Sequence, residues 1–187
     1  MLTSRIPITL TPSYITLSKH DQEQLFGKGY IFNKQKDLPQ PQNYSTTTTC
    51  KIIWPQGELV LPIYHIWSTS TQVQISRTEW EKLWLSYSEY YPNDLSWASD
   101  ITIVWSKKSK YIHNCTFTPL PYIHCSQADA DQFQLKQNQI INITLPHSSQ
   151  SIENIKVLIR DHTTLNLHLH SSRIEKWFSH NSRWIIK

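Results

Sequence analysis

One short pattern occurs twice in this chain, and it constrains the fold more than any other feature. The first copy reads Tyr14-Ile15-Thr16-Leu17-Ser18, then Asp21, Leu25 and Phe26. The second reads Tyr122-Ile123-His124-Cys125-Ser126, then Asp129 and Phe133, at a constant offset of 108 residues. Each copy is a β-branched strand feeding a helix, with a Ser at the cap and an acidic residue three positions on, a variant of the capping box. A period this long is wrong for a solenoid and predicts two supersecondary units facing each other across a pseudo-two-fold.

The rest of the chain reads mostly as strands. Ile6–Leu10, Thr48–Trp54, Glu58–Tyr64, Val73–Ser76, Ile101–Trp105, Tyr111–Phe117, Ile140–Leu145, Ile155–Arg160 and Thr164–His168 are β-branched or alternating, with turn residues between them. Pro55-Gln56-Gly57 and Lys107–Lys110 read as hairpin turns. Helices are expected at Ser18–Phe26, Ser126–Phe133 and Ser76–Tyr91, with a short one at Ser171–Phe178. In the third of these, Ser76 and Glu79 form a capping box, and Trp80, Leu83, Trp84 and Tyr87 recur at helical spacing. The fold class expected is mainly β with short helices, as two related β-barrel halves from an internal duplication. Residues 1–118 form the first half, with the Trp-rich helix 76–91 inserted, and residues 119–187 form the second.

Composition excludes several functions. The chain has only 3 Gly, none in a Walker or dinucleotide-binding pattern, so a glycine-rich phosphate loop is ruled out. Net charge is +4 and the one tight basic run, Lys107, Lys108 and Lys110, reads as a solvated hairpin tip, so nucleic acid is not indicated. Cys50, Cys115 and Cys125 are odd in number with no C-x-x-C pair, which fits reduced thiols. Apolar runs are too short to span a membrane, and Met1–Pro7 lacks the apolar core of a signal peptide. An intracellular location is expected, cytoplasmic or inside an organelle or microcompartment.

Several strings resemble the PduL-type phosphate propanoyltransferases, the phosphotransacylases of bacterial microcompartments. Lys36-Asp37-Leu38-Pro39-Gln40-Pro41 resembles the family's Lys-Asp-Leu-Ser-Gln-Pro. Thr71-Gln72-Val73-Gln74-Ile75-Ser76-Arg77-Thr78 resembles Thr-Gln-Val-Glu-Ile-Ser-Arg-Thr. Leu165-Asn166-Leu167-His168-Leu169-His170 stands where the family has Leu-Glu-Met-His-Ile-Asp. The resemblance covers nearly the whole chain. It implies two linked β-barrel domains, acyl transfer between coenzyme A and phosphate, and a pair of metal ions, usually zinc, held between the halves.

The resemblance also shows where this chain departs. The first-half histidine pair falls on Tyr14 and Thr16, and the ligand Glu falls on Gln74. In the second half the first His falls on Tyr122, while the next survives as His124 and the late one as His168. Arg77 survives at the phosphate-binding position. His170, two residues after His168, shares its strand face, so His124, His168 and His170 are the remaining metal candidates.

These losses lead to a primary expectation of a degenerate, non-catalytic family member that acts as a structural or protein-binding subunit. It would hold no cofactor and pair with other protein subunits, for which the Trp residues supply anchors. The alternative is a phosphate acyltransferase that uses Arg77, coenzyme A and a reduced zinc site. A third reading is a coenzyme A-binding module without the reaction.

Overall fold

The computed structural model describes residues 6–66, 68–92, 94–144 and 151–173. In chain order the strands and helices are β1 (Ile8–Thr11), β2 (Tyr14–Thr16), α1 (Lys19–Phe26), β3 (Lys34–Asp37), β4 (Tyr44–Trp54), β5 (Gly57–His65), β6 (Gln72–Gln74) and α2 (Arg77–Leu83). Then come β7 (Glu89–Tyr90), β8 (Ser99–Trp105), β9 (Lys108–Pro119), β10 (Tyr122–Cys125), α3 (Gln127–Phe133), β11 (Ile140–Thr144), β12 (Ser151–Ile159) and β13 (Asn166–His170). The expectation of a mainly β chain with short helices is met. The expected final helix begins as a 3-10 turn at Ser171–Arg173, and its remainder lies outside the described residues.

The chain divides into two compact units. One comprises residues 12–38 and 42–119, and the other residues 1–11, 39–41 and 120–187.

In the first unit, β4, β5, β2, β6, β9 and β8 close into a six-stranded barrel, because β8 pairs with both β9 and β4. Closure leaves those strands no unpaired edge inside the ring. Alternation decides what fills it: Ile15, Ile52, Ile63, Val73, Ile75, Ile101 and Ile103 are fully buried. Leu25 and Phe26 of α1 and Trp80 and Leu83 of α2 join the same apolar cluster. Two local ties hold the helices on. Asp21 is buried, pairs with Lys110 at 2.5 Å and accepts from the Thr71 hydroxyl, which fastens α1 to β9. Trp80 donates its indole N–H to Thr118 Oγ1 at 2.8 Å, which satisfies its polar edge inside the core.

Helix α2 stops at Leu83, eight residues before the expected Tyr91. Trp84 takes a left-handed conformation at φ 56°, Leu85 donates its N–H to Trp80 O, and Trp84 donates to Glu81 O. That is a Schellman ending. The apolar stripe therefore splits: Trp80 and Leu83 are buried, while Trp84 is 73% exposed and Tyr87 42%. The hairpin turn at Pro55–Gln56 also crosses this helix. A Cβ on Gly57 would lie 2.2 Å from Lys82 O, so only glycine lets the backbones meet.

The second unit is a five-stranded sheet in the order β1-β13-β10-β12-β11. One face carries Ile123, Cys125, Ile155, Val157, Leu167 and Leu169, all buried with Ala130 of α3 in one cluster. The Ser126–Asp129 capping box starts α3 and a second Schellman ending at Gln134 and Leu135 stops it. Gln40 clips residues 39–41 to this unit. Its amide donates to Thr164 O at 2.9 Å, and its oxygen accepts the Thr164 N–H at 3.0 Å.

The two sheets share a local pairing pattern. β2 lies parallel to β5 and antiparallel to β6, with Tyr14 opposite Gln74. β10 lies parallel to β12 and antiparallel to β13, with Tyr122 opposite His168.

Candidate functional site

Strand periodicity sorts the residues of β10 and β13. Ile123 and Leu167 point into the core of their unit, so their neighbours point the other way. The register sets Tyr122 opposite His168 and His124 opposite Asn166. One face thus gathers Tyr122, His124, Asn166 and His168. It is largely dry: Tyr122 is 8% exposed, Asn166 4% and His168 8%.

The aromatic rings form one packed group. Tyr122 stacks on His168 with centroids 4.9 Å apart and planes 10° apart. His124 meets His168 edge-on, with centroids 5.0 Å apart and planes at 68°.

Burial holds both imidazoles neutral. Desolvation pulls His168 down to about 4. Desolvation, His168 and Arg160 together pull His124 down to about 3. Tyr122 is pushed up to about 12 by its burial and stays a neutral phenol. A neutral imidazole has a lone pair to offer a metal.

Three buried polar atoms on this face have no hydrogen-bond partner: His124 Nδ1, Asn166 Oδ1 and His168 Nε2. Buried polar groups are nearly always paired, so three orphans side by side suit an occupant. Among the described residues, no group of three or more His, Cys, Asp or Glu side chains is placed to hold a metal ion. The two imidazoles are therefore the only donors of those types in this group.

The other candidates fall elsewhere. His170 is 1% exposed and its Nδ1 lies 2.8 Å from Ser172 Oγ. Cys125 lies in the apolar core on the opposite face, and burial raises its thiol. In the barrel unit Tyr14 stacks on Tyr64 at 4.5 Å, and Thr16 and Gln74 are buried near it on β2 and β6. Arg77 opens α2 as an exposed residue, with its guanidinium carbon 5.3 Å from the centre of the Tyr87 ring. Asn166 was missed as a candidate. Its signal was its place two residues before His168, on the same strand face.

The fold and this face define a β-barrel protein with a paired-histidine site on the sheet of its second unit. The phosphate propanoyltransferase family model matches residues 7–175, and the chain belongs to that family. Three relatives named phosphate propanoyltransferase show the distance. The Priestia megaterium protein is 28% identical over 166 residues, covering 88% of this chain and 76% of its own. The Thermotoga maritima protein is 26% identical over 167 residues, covering 88% and 80%. The Clostridioides difficile protein is 27% identical over 137 residues, covering 73% and 66%.

No helix among the described residues is long and apolar enough to cross a membrane.

Proposed function

We propose that the chain is a phosphate acyltransferase that moves an acyl group between coenzyme A and phosphate. Two supports combine: its family, and the buried His124–His168 pair with an unpartnered nitrogen on each ring. This reverses the weight given to the non-catalytic expectation, because the relatives are named for the reaction.

In this reading a phosphate oxygen attacks the thioester carbon, the carbon–sulfur bond breaks, and the thiolate departs. A bound metal ion would polarise the carbonyl and stabilise the sulfur as it leaves. His124 and His168 would hold that ion as neutral donors. Tyr122, lying flat on His168, keeps the ring in one plane and excludes water from it. Arg77 is the group suited to clamp a phosphate through two parallel N–H bonds. The duplication read from the sequence belongs to this proposal, supported by the shared pairing of β2 and β10.

A second reading, a non-catalytic subunit that binds other proteins, is favoured by one observation. The barrel unit has Tyr14, Thr16 and Gln74 where the resemblance expects ligands, and Trp84 and Trp97 stand 73% and 83% exposed. One experiment separates the two: release of free thiol from propanoyl-CoA in phosphate buffer with zinc added. Phosphate-dependent thiol release supports the enzyme. No turnover with folded, zinc-supplied protein sinks it and leaves the binding role.

A further inference from the structure

The orphaned atoms at the His124–His168 site are three, and only two belong to histidines. The third is the side-chain oxygen of Asn166, which is 4% exposed. A buried amide oxygen with no donor is destabilising, so a partner is expected there. Strand register places Asn166 opposite His124 and two residues before His168, so all three side chains leave the sheet on one side.

Building on the acyltransferase reading of this site, we propose that Asn166 Oδ1 is the third protein ligand of a single divalent ion. His124 Nδ1 and His168 Nε2 are the other two. Two imidazoles and a carbonyl oxygen make a mixed nitrogen and oxygen set that suits first-row ions such as zinc, cobalt or manganese. Three protein ligands leave a fourth position open, as catalytic zinc sites do.

The neighbours fit the assignment. Tyr122, where a third imidazole is missing, is stacked against His168 and serves as a wall. His170 is committed to Ser172. On β2 and β6, Tyr14, Thr16 and Gln74 supply neither imidazole nor carboxylate, so the proposal assigns one ion rather than two.

The test titrates the metal-free full chain with Co²⁺, followed by its visible absorption, and with Zn²⁺ by calorimetry. The expected result is about one ion per chain. Asn166→Ala weakens zinc by at least ~10-fold, since ligand loss exceeds the effect of losing an outer-sphere partner. Asn166→Asp, which keeps the shape and adds charge, binds as tightly as the wild type or tighter. His168→Ala abolishes binding. Two ions per chain, unchanged affinity in Asn166→Ala, or weaker binding in Asn166→Asp overturns the proposal, and the last decides it even where the Ala variant fails to fold. No binding of either ion also overturns it and leaves a bridging water as the partner of the three atoms. The thiol-release assay is read separately. Asn166-dependent metal binding without turnover sinks only the acyltransferase reading, and turnover together with metal binding that ignores Asn166 sinks only the ligand assignment.

Discussion

Tyr122 lies flat against His168, ring over ring at 4.9 Å, across the antiparallel ladder of β10 and β13. The contact joins a large buried surface to a specific ring geometry. Tyr122→Ala is expected to cost about 3–5 kcal/mol of stability, as aromatic-to-alanine changes in cores do. Tyr122→Phe keeps the stack and costs far less. Urea denaturation followed by tryptophan fluorescence measures both.

The same face makes the metal-free protein sensitive to acid. His168 is lowered to about 4 and His124 to about 3, against an ordinary value of 6.5. Below pH 6.5 the unfolded chain takes up protons at both positions and the folded chain does not. Stability is thus unaffected by these groups above that pH and falls as pH drops towards 4. Each imidazole contributes up to about 1.4 kcal/mol per pH unit in that window. A urea midpoint measured from pH 7 to pH 4 should decline, and the slope should flatten in His168→Gln.

Asp21 is the tie between α1 and β9. Burial alone would raise its carboxyl, but the Lys110 ammonium and the hydroxyls of Thr71 and Ser18 more than offset that and hold it below the usual range. Removing the charge strands Lys110 beside a neutral amide. Asp21→Asn should cost about 3 kcal/mol, at the low end for a buried pair because both partners keep some solvent contact. A parallel loss in Lys110→Met, with the double variant less than additive, would establish the coupling. The wild-type advantage should fade as pH falls through the lowered carboxyl range.

Gly57 touches the carbonyl of Lys82, with no room for a methyl group. Gly57→Ala should destabilise the chain by about 1–3 kcal/mol through displacement of the hairpin from α2. Gly29, with nothing within 4 Å of its added Cβ, is the comparison. Its alanine variant meets only the strain of a positive φ. Thermal melts of the two variants check the difference.

The barrel was legible because period-two alternation in residues such as Ile52, Ile101 and Ile103 fixes which face goes inward. The short strands β3 and β7 were not, since Lys34–Asp37 is exposed throughout and Glu89–Tyr90 is only two residues long. Trp84 and Tyr87 continue the helical spacing from Ser76, so the sequence pattern runs on past the true end at Leu83. The stop is a left-handed Trp84, and no Gly or Asn marks it in the sequence. At the site, His124 and His168 were found through residue type and resemblance. Asn166 stayed hidden because an amide is an ordinary strand residue until its oxygen is seen buried without a donor. The grouping of His170 with them followed from strand parity, but a serine two residues later takes its ring.

Strand β1 lies parallel to β13, and the Thr11 hydroxyl bonds to Leu169 O across 158 positions of sequence. A ribosome making this chain releases β1 long before its partner exists. Until residues near 170 emerge, that strand has no ladder to join, while the six strands of the barrel are already complete. Closing so long a loop is slow, so the two units should mature at different times. The histidine face can form only after β13 has emerged and paired with β10.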